Sequence, residues 1–291
     1  MTVAVWQETD WRRRQRAHRQ RVAAWTQPHR DRKRRGETHP VLDFLFTYYS
    51  LRPSRLERWF PGPGVVLAGD AEEFLTTRGF RRTEGGVCFD PALLDERRRD
   101  SARFIARLLH ATAEREPRLS CFGLHEWAMV YRDSPRHRQL PLRLGPRDTD
   151  RVVETAQLRC THHDAFRFFT PAARPLNAST PTREGQAATE QPGCLHANMD
   201  LYKWASKLAP ATPSELIADC FELAVSTREL DMRASPYDLS GLGYEPVQIE
   251  TAAGRAHYAR EQADIAGRAR PLRLRLADLA ETVAGVPSRA R

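Results

Sequence analysis

Apolar positions recur along this chain mostly at helical spacing, broken by proline- and glycine-rich turns. The first stretch opens at Asp10, a capping residue, and runs to about Trp25 with Trp11, Val22 and Trp25 as its apolar positions; Pro28 is expected to close it. Thr38 to Tyr49 reads as a buried aromatic helix with Pro40 in its first turn. A short helix is expected from Pro53 to Trp59, a sharp turn at Pro61-Gly62-Pro63-Gly64, and a helix from Asp70 to Thr77 stopped by Gly79. Arg81 to Phe89 has the pattern of a hairpin around Glu84-Gly85-Gly86.

Asp90-Pro91 begins the longest helical pattern, reaching about Glu114, with Leu94, Phe104, Ile105, Leu108 and Leu109 as the apolar positions of its inner face. Residues 118–132 are apolar and aromatic, and the pattern does not choose between helix and strand. Arg132 to Thr149 reads as a loop with an extended piece at Pro141–Leu144, and residues 170–193 as a long irregular loop. Thr212-Pro213-Ser214-Glu215 combines a cap, a proline and a first-turn acid, a strong helix start. Pro246 to Thr251 suggests a strand, and residues 254–282 a charged helical region interrupted by Pro271. The fold class expected is mainly α, α+β with a few short strands. A basic N-terminal helical arm, residues 1–36, precedes a single globular domain, residues 37–291.

Composition sharpens this picture. With 41% hydrophobic and 29% charged residues among 291, the chain can bury a core without disulfides. Five scattered cysteines fit a reduced, cytoplasmic compartment. No apolar run suggests a membrane span, and arginines stand where a signal peptide would be hydrophobic, so neither membrane nor secretion is expected. The net charge of +9 is concentrated between Trp11 and Arg35. Arg12, Arg13, Arg16, Arg32, Lys33, Arg34 and Arg35 are its candidate contacts to nucleic acid phosphates, while a solvated helix face is the plainer reading.

Three segments combine cysteine, histidine, carboxylate and aromatic residues: Cys121 to Tyr131, Cys160 to Pro171, and Gln191 to Trp204. One chemistry they suggest is excision of a base from nucleic acid. A carboxylate can stabilise an oxocarbenium-like sugar or activate water, and aromatic rings can hold a flipped, alkylated base. The candidate catalytic residues are Glu126, Asp164 and Asp200, assisted by His125, His163 or His196. The candidate base-binding residues are Trp127, Tyr131, Phe166, Tyr202 and Trp204. This reading needs no metal and no cofactor. The other chemistry is metal binding through Cys121 with His125, Cys160 with His162, and Cys194 with His196. The spacings match no standard zinc motif, and Walker A, dinucleotide-binding and nucleophile-elbow patterns are absent.

The stretches His39 to Tyr49, Phe166 to Asn177, Gln191 to Trp204 and Leu230 to Leu239 resemble a family of actinobacterial proteins commonly labelled 3-methyladenine DNA glycosylase. The resemblance implies a DNA-repair enzyme, with duplex DNA carrying a damaged base as partner. The alternatives are a metal-dependent enzyme acting on a small molecule through Cys/His ligands and a non-catalytic nucleic-acid-binding protein.

Overall fold

The structure, a computed structural model, describes residues 3–137 and 139–285. Mainly helical, it carries a small four-stranded mixed sheet. The elements in chain order are β1 (Ala4–Trp6), α1 (Glu8–Arg34), α2 (Phe44–Tyr48), α3 (Pro53–Glu57), β2 (Val65–Leu67), β3 (Phe80–Thr83), β4 (Gly86–Phe89) and α4 (Glu96–Ala113). Then follow α5 (Leu124–Ala128), α6 (Pro146–Thr155), α7 (His163–Phe166), α8 (Gln186–Thr189), α9 (Leu195–Leu208), α10 (Ser214–Arg233) and α11 (Ala252–Ala284). The chain divides into two compact units: residues 1–110, 201–222 and 272–291 form the first, and residues 111–200 and 223–271 the second.

In the first unit, β1 pairs in parallel with β2, β2 antiparallel with β4, and β4 antiparallel with β3. The last pair is the expected hairpin. The basic segment is not a loose arm. Trp11, Gln15, His18, Val22 and Thr26 are buried along α1 at steps of three and four, one continuous stripe. The Trp11 indole donates to Ala68 O at 2.9 Å and stacks on Trp59. That packing carries α1 past Pro28, which lies inside the helix instead of ending it. Near its end, Arg32 donates to the buried Asp43 carboxylate.

Other boundaries moved for comparable reasons. The expected Thr38–Tyr49 helix shrinks to α2, and Asp70–Thr77 becomes a 3-10 turn at Glu72–Thr76. Asp90 caps a short 3-10 turn, accepting from Ala92 N, before α4 starts at Glu96. The longest helix is α11, 33 residues, which runs through Pro271. Pro246 to Thr251 forms no strand, and α6 occupies part of the expected 132–149 loop. Among the described residues no helix is long and apolar enough to cross a membrane.

Within the second unit the loops are pinned by specific bonds. The Gln191 side-chain oxygen accepts from Arg118 N at 2.8 Å and Gly193 N at 2.7 Å, tying the 118 and 191 loops together. Phe122 and Gly123 are both left-handed, with φ of 47° and 69°, so the chain reverses sharply into α5. A side chain at position 123 would press on Ala234 and Tyr258.

Candidate metal centre

The three cysteine-histidine segments converge in the second unit. Cys121, Cys160 and Cys194 line one small cavity together with His125, His196 and Gln191. Each sulfur is presented by a different element: the left-handed turn before α5, the loop before α7, and the start of α9. All five cysteines are free. Burial pushes the Cys121 and Cys194 thiols up and Cys160 to about 12, and each is raised further by charge on a neighbouring buried group. Metal-free, these sulfurs are therefore thiols at neutral pH.

Backbone contacts act in the opposite direction. Backbone hydrogen bonding at Gly123 and Ala197 lowers the Cys121 and Cys194 thiols, by less than burial raises them. The Cys160 thiol donates to His162 O at 3.5 Å. The Gln262 amide also donates to Cys121 Sγ at 3.1 Å, and to Gly193 O at 2.6 Å.

Behind this wall lies a buried line of charges. His125 Nε2 sits 2.6 Å from Asp231 Oδ1. Asp231 Oδ2 accepts from Arg228 at 2.7 Å, and the same guanidinium nitrogen donates to Glu126 at 2.8 Å. Burial alone would pull the His125 imidazole down, but the Asp231 charge and hydrogen bond outweigh it and raise its pKa. Burial likewise penalises the Asp231 carboxylate, yet His125 and Arg228 hold it well below the usual range. His196 packs edge-on against His125 and stacks near His162, with ring centroids 4.4 and 5.3 Å away. Burial and the neighbouring His125 charge lower its pKa far enough to keep it neutral.

His162 faces two further acids, Glu190 at 3.3 Å and Asp200 at 3.4 Å. Its Nδ1 accepts from Ala165 N, so the neutral ring carries its proton on Nε2, toward both carboxylates. That proton disfavours a metal at Nε2, although the three groups are near enough to be considered together.

The expected catalytic acids are therefore placed differently from one another. Glu126 is buried against Arg228, and Asp200 is buried beside His162. Asp164 is one-third exposed in the first turn of α7, 3.7 Å from Arg167. His163 points its Nδ1 at Pro181 O. Of the six catalytic candidates, His125 and His196 reach the cavity. The expected base-binding rings line neither the cavity nor the cleft beside it. Trp127 is a core residue that donates to Ala234 O, Tyr131 bonds Glu154, and Phe166 packs on Phe169. Tyr202 and Trp204 sit in the first unit's core, against Phe221 and Phe104. The aromatic rings at the openings are Phe122 and Phe169 instead.

Sequence reading missed Arg228 and Asp231 as site residues. The sequence carried little signal for them, because Ser226, Thr227, Glu229 and Arg233 surround them on α10 and the burial of Arg228 and Asp231 becomes visible only in the fold.

A cleft of about 500 Å³ adjoins the cavity, sharing Leu124 and Arg159 with its wall. Phe122, Val152 and Ile249 give it apolar surface, while Arg159 and Arg255 give it positive charge. Glu250 on its rim is held by Arg143 at 2.8 Å.

The expected DNA-contacting residues lie on α1 and just beyond it. Arg12 bonds Glu73, Arg13 pairs with Asp10, Arg34 with Asp31 and Arg35 with Glu37. Arg16, Arg19 and Lys33 are exposed. No protein-family model, curated protein or solved structure matches this chain.

Proposed function

We propose that this protein is a metal-dependent enzyme acting on a small anionic molecule, with its metal centre at the Cys/His cavity and its substrate in the adjoining cleft. The observation that carries the reading is the convergence of three thiols and two imidazoles, from segments far apart in sequence, on one cavity wall. Such sulfur and nitrogen donors suit soft or borderline transition metals. The His125–Asp231 pair beside them can take or give a proton, because Asp231 fixes the ring and stabilises its charged form. In the cleft, Arg159 and Arg255 would bind a carboxylate or phosphate, and Phe122 an apolar or ring portion.

The test has two arms. Purified protein is analysed for bound transition metal, which should be stoichiometric and removed by chelation. Benzoate and phenyl phosphate are then titrated by NMR; binding should weaken in Arg159→Ala and Phe122→Ala. Metal-free protein that takes up no transition metal, together with no binding of either probe, refutes the reading.

A second reading, base excision from alkylated DNA, is favoured by the exposed Arg16, Arg19 and Lys33 on α1. Of the acids expected to perform it, Glu126 and Asp200 are buried against Arg228 and beside His162, while Asp164 is one-third exposed, 3.7 Å from Arg167. Incubation with methylated duplex DNA decides it: failure to release methylated purine removes this reading.

A further inference from the structure

Resting on the metal-centre reading, we infer that Cys121, Cys160, Cys194 and His196 ligate an iron–sulfur cluster of the two-iron, two-sulfide form. Three observations on the cavity point there.

The first is the ligand set. Three sulfurs and an imidazole face the same cavity, and iron–sulfur clusters take thiolates with histidine as an occasional substitute. His196 is the fourth ligand in preference to His125, whose Nε2 is already committed to Asp231.

The second is spacing. A single tetrahedral zinc with Zn–S near 2.3 Å brings its sulfurs to about 3.8 Å from one another. Among the described residues, no group of three potential ligand atoms that includes a thiol falls within 4.8 Å. Cys121, Cys160 and Cys194 nonetheless line the same cavity. A two-iron cluster divides its four ligands between two metals, so it spans a wider set than one ion does. Histidine in place of cysteine is the ligation of two-iron clusters of the Rieske type, which favours that form over the four-iron cube.

The third is a placed donor at one of the sulfurs: the Gln262 amide, whose residue is fully buried, donates to Cys121 Sγ at 3.1 Å. Hydrogen bonds to cluster sulfurs stabilise the anionic centre and tune its potential. A cysteine that merely fills core space has no need of them. On ligation each thiol releases its proton to solvent, and two ferric ions with two sulfides supply the inorganic part, with no change of oxidation state.

The experiment is anaerobic reconstitution of the full chain with ferric iron and sulfide. Iron, acid-labile sulfide and visible absorption are then measured after desalting. The expected result is iron and sulfide bound in equal amounts, two of each per chain, with charge-transfer absorption in the visible. Cys160→Ser and Cys194→Ser should lose nearly all of it, whereas Cys88→Ser and Cys220→Ser should keep it. The wild-type stoichiometry stands as evidence even if a variant misfolds. Four irons per chain overturn the two-iron form. One zinc or iron without sulfide overturns the cluster while leaving the metal-centre reading intact. No metal under any condition overturns both.

Discussion

Replacing Arg228 by methionine tests whether the buried line Glu126–Arg228–Asp231–His125 is a single electrostatic unit. Arg228 is 1% exposed and bridges both carboxylates at 2.8 and 2.7 Å. At an effective dielectric constant of about 20, each contact is worth roughly 6 kcal/mol of gross attraction, most of it offset by desolvation. Methionine preserves much of the volume but removes the charge. Glu126 then stays buried without its guanidinium, while Asp231 retains His125. The expected loss is about 3–5 kcal/mol, the usual cost of leaving a buried charge unmatched. Arg13→Ala is the control, because the Arg13–Asp10 pair is exposed and worth about 0–1 kcal/mol at most. Adding Glu126→Gln to Arg228→Met should recover at least about 1 kcal/mol, since it removes the stranded carboxylate. Urea unfolding is followed by circular dichroism and by tryptophan fluorescence. Trp127 is the one tryptophan of the second unit, so non-coincident curves would show the units unfolding separately. A loss no larger than that of Arg13→Ala would refute the argument.

Three further expectations follow from the same structure. Trp11→Ala should cost about 3–5 kcal/mol, because the indole is fully buried and bonded to Ala68 O; thermal unfolding with a shift as small as a surface substitution's would contradict this. His18 is buried, and burial lowers its pKa despite the bond to Leu56 O. The unfolded chain therefore takes up the proton first, so this residue's contribution is intact above about pH 6.5 and lost as pH falls through the lower folded value. His18→Gln should flatten that acid limb in denaturation curves collected from pH 7.5 to 5. In metal-free protein at pH 8, Cys194 and Cys220 should react with a disulfide reagent only after urea is added, since both are buried and burial raises their thiols; rapid native labelling of either would contradict their placement.

Legibility in the sequence followed the range of the interaction. The Phe80–Phe89 hairpin and the helix starts at Pro53 and Ser214 were readable because turn glycines, caps and prolines act within a few residues. The three cysteine-histidine segments stood out by composition alone, and His125 and His196 proved to share a wall. The roles of their acids were not readable. Glu126 and Asp200 look like Asp164 in sequence, yet Arg228 and His162, distant along the chain, decide that the first two are buried and paired.

What the linear chain by itself determined is a mainly helical protein whose local starts and stops obey short-range backbone chemistry. Tertiary structure decided where two prolines could be tolerated, Pro28 in α1 and Pro271 in α11, because the local cost of a missing hydrogen bond is small beside the packing of a long helix along its whole length. It also decided which polar residues meet. A sulfur, an imidazole or a carboxylate acquires its chemistry from the charge, donors and solvent within a few ångströms, and those neighbours come from other segments only once the chain has folded.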